Sequence, residues 1–376
     1  MRVCLITNEV FGLGRYGGFG KLTKMLAEHL VEKGVEAFVI SWRGPGQREI
    51  EHLNGVTILS FPYNPSNSIS YLHSHFYSYL RSLALYRIVD ADIYHSIEIQ
   101  LSTYIAQKAM PNRKHIVWFQ DPYDEKAYRE MSLVDKGYAW NTNMKVRFYS
   151  TLAILRATCN ESDGLFTQAQ CFMPIVKRLY QPKKDVLFLP NPVEIPNLRP
   201  EKSSEPTVCF LGRWDPQKHV ERFFELAQRF PEIKFIAMGK SHYKMIDAQL
   251  RRQYRKVQNL EMPGLVSDTE KERILSKSWV LVNTSIREGL PISFLEALAH
   301  RTAILSRVDP DKFANRFGYH VKEDSLNCFE EGLKKLLEND LWKEKGEKGY
   351  IYVKEKHEVN KVVCECIENY KRILYT

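Results

Sequence analysis

Strand-like and helix-like patterns alternate along this chain in two runs, separated by a strip that suits neither, residues 190–206, PNPVEIPNLRPEKSSEP. Short apolar, β-branched runs at 3–7, 37–41, 56–60, 93–95, 116–119, 165–167 and 186–189 read as buried strands. Helical patterns lie between them, among them 21–33, 69–89, 145–161 and 172–180. Beyond the strip, strands are expected at 208–211, 234–238, 259–261, 279–282 and 303–305. Helices are expected there at 220–229, 243–256, 269–276 and 292–299, with more following to the end. This alternation dictates parallel sheets wrapped by helices, because a parallel connection needs a crossover long enough to hold one. At 376 residues there is room for two such α/β domains, each with its own core. We therefore expect a doubly wound, Rossmann-like domain over 1–195, a linker over 196–206, a second Rossmann-like domain over 207–355, and a closing helix over 356–376. Ligands in such sheets bind beyond the carboxyl ends of the strands.

Several function classes fall away. The formal charge of +9 is spread over both halves, and clusters such as Arg251, Arg252, Arg255 and Lys256 lie on an expected helix as a solvated face, so nucleic acid is not an expected partner. No apolar run approaches the ~20 residues a membrane helix needs. The N-terminus lacks a signal-peptide layout, and the seven scattered cysteines fit reduced thiols in a cytoplasmic protein. Asp90-x-Asp92 and Asp309-x-Asp311 have the D-x-D form of some metal sites, but the first precedes a strand and the second suits helix capping, so no metal is expected. The helix expected at 69–89 carries Tyr71, Phe76, Tyr77, Tyr79 and Tyr86 beside Arg81 and Arg87. Such a stripe fits either a core face or peripheral contact with a membrane.

The chemistry concentrates in WVLVNTSIREGLPISFLEALAHRTAILS, from Trp279 onward. Glu288 stands in a loop before a helix that Pro291 can open, and Glu296 lies inside that largely apolar helix. A buried carboxylate there is costly unless something bonds it. Free N–H groups at the helix start favour an anion, so the segment can flank a ligand that is anionic at one end and rich in hydroxyls. A solvated Glu288 and a structural Glu296 remain the alternative. In FLGRWDPQKH, Arg213 follows a strand directly, and Lys218 lies near the next helix start. Two cations there suit a diphosphate, or are two surface charges in a turn. After the first strand, FGLGRYGGFGK holds Gly12, Gly14, Gly17, Gly18 and Gly20, whose backbone can approach a phosphate.

EGLPISFLEALA resembles the E-x7-E motif of glycosyltransferase family 4, and GRWDPQKH resembles that family's G-R-x4-K diphosphate site. The glycine loop is similar to its first-domain GG loop, and the three stand in the family's order. The resemblance implies the GT-B fold, two doubly wound Rossmann-like α/β domains facing each other across a cleft, with the last helix returning to the first domain. It implies a retaining, metal-independent, hexosyltransferase-like enzyme that moves a sugar from a nucleotide-sugar donor to a glycan, lipid-linked or small-molecule acceptor. The donor is a co-substrate, and no cofactor is implied. By the resemblance, Arg213 and Lys218 bind the diphosphate, Glu296 the ribose hydroxyls and Glu288 a donor-sugar hydroxyl. Gly17, Gly18, Gly239, Gly264, Leu265, Gly289, Leu290 and Ile292 contribute backbone, although Pro291 removes one donor from that set. Where the family often has an acceptor-side histidine this chain has Gln120, which cannot act as a base. Gln120 and the adjacent Asp121 are acceptor-side candidates, completing a candidate catalytic set with Glu288, Arg213 and Lys218. A phosphorylase or epimerase on the same fold, or a non-catalytic sugar-nucleotide binder, remain alternatives.

Overall fold

Val3 to Ile6 carry no charge on either face, and a strand of that kind is stable only when a sheet and two helical layers cover it. The computed structural model describes residues 1–13, 17–44, 46–62, 70–134 and 140–375, and the backbone alone over 70–79. The first half supplies strands Arg2–Ile6 (β1), Glu36–Trp42 (β2), Ile50–Leu53 (β3) and Val56–Phe61 (β4). Ile93–Ile97 (β5), Lys114–Phe119 (β6), Gly164–Thr167 (β7) and Leu187–Phe188 (β8) follow. They form one eight-stranded sheet, ordered β3-β4-β2-β1-β5-β6-β7-β8, with β1 in its interior. Its pairs are parallel apart from β3 with β4. No strand was expected at 50–53. The Asn54–Gly55 turn, with both residues at positive φ, folds that segment back as a hairpin.

Helices Gly18–Glu32 (α1), Ser70–Val89 (α2), Leu101–Ala109 (α3), Thr142–Glu161 (α5) and Met173–Tyr180 (α6) accompany these strands, whereas Glu125–Ser132 (α4), between α3 and α5 in the chain, groups with the second half. Of the aromatic stripe considered for a membrane, Ile69 and the side chains of Tyr71, Phe76, Tyr77 and Tyr79 lie outside the described residues. Tyr86 is buried and donates to the Ser102 carbonyl at 3.3 Å, whereas Arg81 and Arg87 are exposed. Among the described residues no helix is long and apolar enough to cross a membrane.

The second half supplies Thr207–Leu211 (β9), Lys234–Met238 (β10), Leu260–Gly264 (β11), Val280–Asn283 (β12), Ala303–Ser306 (β13) and Gly318–His320 (β14). They form a parallel six-stranded sheet, ordered β11-β10-β9-β12-β13-β14. Its helices are Glu221–Arg229 (α7), Lys244–Tyr254 (α8), Asp268–Lys277 (α9), Ile292–Ala299 (α10), Phe313–Phe317 (α11), Leu326–Leu337 (α12) and Leu341–Lys356 (α13). A last helix, Val359–Leu374 (α14), completes the chain.

Two compact units result, one of residues 1–124, 141–192 and 359–376, the other of 125–140 and 193–358. Each has its own core, with Val208, Phe223, Phe235, Val282 and Leu333 in the second. The closing helix belongs to the first unit because its apolar stripe, Val362, Val363, Cys366, Tyr370 and Ile373, is buried with Leu26, Ile116 and Trp118. Each such side chain contributes ~1.5–3 kcal/mol on burial. Gly164 admits the helix, since a Cβ there would lie 2.6 Å from Cδ1 of Ile373. The Tyr370 hydroxyl lies 2.7 Å from Nδ1 of His95, whose pKa burial pushes down to about 3, so the imidazole is neutral. All seven cysteines are free thiols.

Candidate functional site

In the second unit the carboxyl ends of four strands carry the expected residues. β9 ends at Leu211 and runs into Gly212, Arg213 and Trp214. Trp214 is buried, edge-on to Phe224 at 5.3 Å, with the Arg251 guanidinium 4.7 Å over its ring. That anchor fixes the loop on which Arg213 and Lys218 stand. Nε of Arg213 lies 3.3 Å from the Asp215 carboxylate, and its Nη1 lies 3.2 Å from Nε2 of His242. Two glycines let the neighbouring strand ends close in. Gly239 has φ +129, and a Cβ on it would lie 1.8 Å from the Gly212 carbonyl oxygen. Its N–H donates to the Gly264 carbonyl at 2.8 Å, and Gly264 itself has φ +84. Leu265, next along, is exposed.

β12 lies beside β9, and its following loop is clamped to the β9 loop by several bonds. Ile286 N–H donates to the Gln217 carbonyl at 2.9 Å, and the Gln217 side chain donates to the Arg287 carbonyl at 2.9 Å. The Thr284 hydroxyl donates to the Lys218 carbonyl at 2.7 Å. On this clamp the Lys218 ammonium pairs directly with the Glu288 carboxylate, which also accepts from the Ser285 hydroxyl at 2.6 Å. Burial pushes the Glu288 carboxyl up, but the Lys218 charge and hydrogen bonds from Lys218, Ser285 and Asn283 outweigh it. The pKa falls below the usual carboxylate value and the group is ionised. Gly289 and buried Leu290 lead to Pro291 and to Ile292, the first residue of α10. Among the described residues no side chain caps that helix start.

Glu296 is 8% exposed, and the bond that such a site demands comes from α9: Nζ of Lys271 lies 2.9 Å from its Oε1. The two belong to different helices, so no helical spacing in the sequence signals the pair.

The first unit places its candidates differently. Gly17 caps α1 and Gly18 opens it, and the close backbone approach there is to the Glu9 carboxylate. Oε1 of Glu9 accepts from Gly20 N–H at 3.2 Å, and a Cβ on Gly17 would lie 1.9 Å from that oxygen. Gln120, after β6, is 1% exposed, its side-chain oxygen accepting from Asn191 at 2.9 Å. Gln120 and Asp121 both donate backbone N–H bonds to Oε2 of Glu98, at 2.9 and 2.6 Å. Glu98 directly follows β5 with φ +75, and Ile99 N–H donates to its Oε1 at 2.9 Å. Burial raises its pKa to about 7 against those backbone bonds. A polar residue just after a buried strand was the available sign of it.

Of the two D-x-D matches, the first stands before a strand and the second just after the carboxyl end of β13. Asp90 and Asp92 precede β5, at its amino end, where Arg113 pairs with Asp90 at 2.7 Å. Asp309 accepts from the backbone N–H groups of Ala314 and Asn315, inside α11, at 2.7 and 3.2 Å, and makes no side-chain cap at the turn it precedes.

Residues 16–195 match the family Glycosyltransferase Family 4, and residues 194–354 match Glycosyl transferases group 1. Among solved structures, the chain is similar to sucrose-phosphate synthase (tll1590) from Thermosynechococcus elongatus, at 16% identity and TM-score 0.78 over 100% of this chain and 99% of that one. It is similar to S. aureus TarM, there a mutant in complex with Fondaparinux, alpha-GlcNAc-glycerol and UDP, at 12% identity and TM-score 0.70 over 100% of both chains. The catalytic domain of starch synthase IV from Arabidopsis thaliana, bound to ADP and acarbose, matches at 12% identity and TM-score 0.68, covering 100% of this chain and 99% of that one. Identities this low speak for the fold, which is GT-B. No curated protein sequence matches. The family matches cover the two halves in succession, and with the two Rossmann-like sheets they identify the chain as a member of glycosyltransferase family 4, the glycosyl transferases group 1.

Proposed function

We propose that this glycosyltransferase moves a hexose from a nucleotide-sugar donor to the hydroxyl of a glycan, lipid-linked or small-molecule acceptor, with retention and without a metal, giving an α-glycoside. The observation that carries this is the clamp between the β9 and β12 loops. It gathers Arg213, Lys218, an ionised Glu288 and the start of α10 at one sheet edge. Cations and helix-start N–H groups suit the diphosphate, while carboxylates suit hydroxyls. In this reading Arg213 and Lys218 hold the diphosphate, Glu288 a sugar hydroxyl, and Glu296 the ribose diol. Backbone of Gly239, Gly264, Leu265, Gly289, Leu290 and Ile292 lines the nucleotide and phosphates. Gly17 and Gly18 face the donor phosphates and the acceptor, and Gln120 and Asp121 serve the acceptor side. As the bond from the anomeric carbon to the diphosphate oxygen breaks, charge grows on that oxygen and the two cations stabilise it. The acceptor oxygen bonds the anomeric carbon on the same face, and its proton passes to the departing oxygen, so Gln120 need supply no base. UDP and alpha-GlcNAc-glycerol in the TarM structure, and ADP in the starch synthase structure, support a nucleotide donor and an α-product. We place the protein in the cytoplasm, with contact at the membrane face reserved for a lipid-linked acceptor.

Thermal-shift screening against UDP-, GDP- and ADP-sugars should show stabilisation by a donor, since only a bound ligand raises the melting temperature. Transfer from an α-linked donor should then survive EDTA and give an α-glycoside, read from the anomeric proton coupling. A β-product would overturn the retaining mechanism, and a rate restored only by Mn²⁺ or Mg²⁺ the metal-free one. Binding without turnover would favour a non-catalytic binder, and turnover with sugar phosphate alone a phosphorylase.

A further inference from the structure

Glu296 lies buried inside an apolar helix, where a carboxylate needs a bonding partner. Lys271 is such a partner. It sits in the first turns of α9, where the Ser267 hydroxyl caps the helix by accepting from Glu270 N–H at 3.2 Å. Its ammonium lies 2.7 Å from Oδ1 of Asp268 and 2.9 Å from Oε1 of Glu296. The Lys271 and Glu296 side chains are only 12% and 10% exposed, so water screens the pair weakly.

We propose that Lys271 is a positioning residue for ribose recognition, holding one oxygen of Glu296 so that an oriented carboxylate faces the vicinal diol of the donor nucleotide. This rests on the assignment of Glu296 to the ribose. An ionised carboxylate offers about four lone-pair sites and no donor. With Lys271 fixing one oxygen, the carboxylate is held to accept from the diol hydroxyls. A site built in this way rejects a nucleotide lacking one hydroxyl, because a buried acceptor is then left unpaired. The protein should therefore prefer a ribonucleoside diphosphate over its 2′-deoxy counterpart, and Lys271 should be needed for that preference.

The test is calorimetric affinity for UDP, GDP and ADP, each paired with its 2′-deoxy form, alongside KM and kcat for transfer. In Lys271→Met the ribonucleotide affinity should fall about tenfold. The ribo-to-deoxy ratio should shrink toward one, and KM should rise with kcat nearly unchanged. Lys271→Arg should restore part of the ratio, and serves as the readout if the Met variant does not fold. A merely structural lysine would lower the melting temperature and leave the ratio intact. Glu296→Gln separates the two claims. If it collapses the ratio while Lys271→Met and Lys271→Arg keep it, the role of Lys271 is refuted and that of Glu296 stands. If Glu296→Gln itself keeps the ratio, the ribose assignment fails and the inference with it.

Discussion

Lys218→Met tests the clamp at its most exposed energetic point. The substitution keeps the length and apolar stem of the side chain and removes only the ammonium. Glu288, whose side chain is 9% exposed, then keeps its hydrogen bonds from Ser285 and Asn283 but loses its countercharge. Removing one partner of a buried ion pair costs ~3–5 kcal/mol. The surviving hydrogen bonds to the carboxylate and partial access to water argue for the lower end, so we expect a loss of about 3 kcal/mol near pH 7.5. The wild-type carboxyl has a folded pKa below its usual 4.5, so its contribution is present above 4.5 and is lost as pH falls through the folded value. In Lys218→Met the burial that pushes the group up is opposed only by the Ser285 and Asn283 hydrogen bonds. The gap between variant and wild type should therefore close as the pH drops and both carboxyls take a proton. Urea unfolding followed by tryptophan fluorescence measures this, because Trp214 lies in the same loop and is buried. Adding Glu288→Gln should recover most of the loss by removing the stranded charge. A single variant within ~1 kcal/mol of wild type, or a double variant no better than the single, would refute the account.

Two further outcomes follow from the backbone and from a buried acid. Gly239→Ala should cost on the order of 3 kcal/mol or more, since its φ of +129 disfavours a side chain and the new Cβ would lie 1.8 Å from the Gly212 carbonyl oxygen. Gly212→Ala is the control: its Cβ would meet only the Phe210 ring at 3.5 Å, so thermal melting that ranks the two equally would contradict the close-approach argument. Glu98, with its folded pKa raised from 4.5 to about 7, contributes stability that is present below pH 4.5 and lost as pH rises through 7. Glu98→Gln lacks that loss, so its stability relative to wild type should rise between pH 4.5 and 8, by an amount on the order of 2–3 kcal/mol. Parallel stability curves would show that the Glu98 carboxyl does not titrate in this window.

Much of the architecture is legible in local pattern. Period and length separate the buried strands from the amphipathic helices, and the polar, proline-rich strip at 190–206 marks where one run gives way to the next. The order of the glycine loop, GRWDPQK and EGLPISFLE singles out the family, because each motif is a short segment whose backbone and side chains act together. The apolar stripe of α14 shows a buried face, but only tertiary structure decides that it packs in the first unit, against β-strand residues such as Ile116. Likewise, Lys218 and Glu288 are 70 residues apart, and Gln120 lies 71 from Asn191 and 22 from Glu98. No periodicity connects such positions. They meet because a parallel sheet brings the carboxyl ends of its strands to one edge. The sequence by itself determined which residue types stand after each strand. Only the tertiary structure decided that Lys218 neutralises Glu288, that Lys271 holds Glu296, and that Gln120 is tied into the interior, because desolvation and charge pairing depend on what surrounds a group in space.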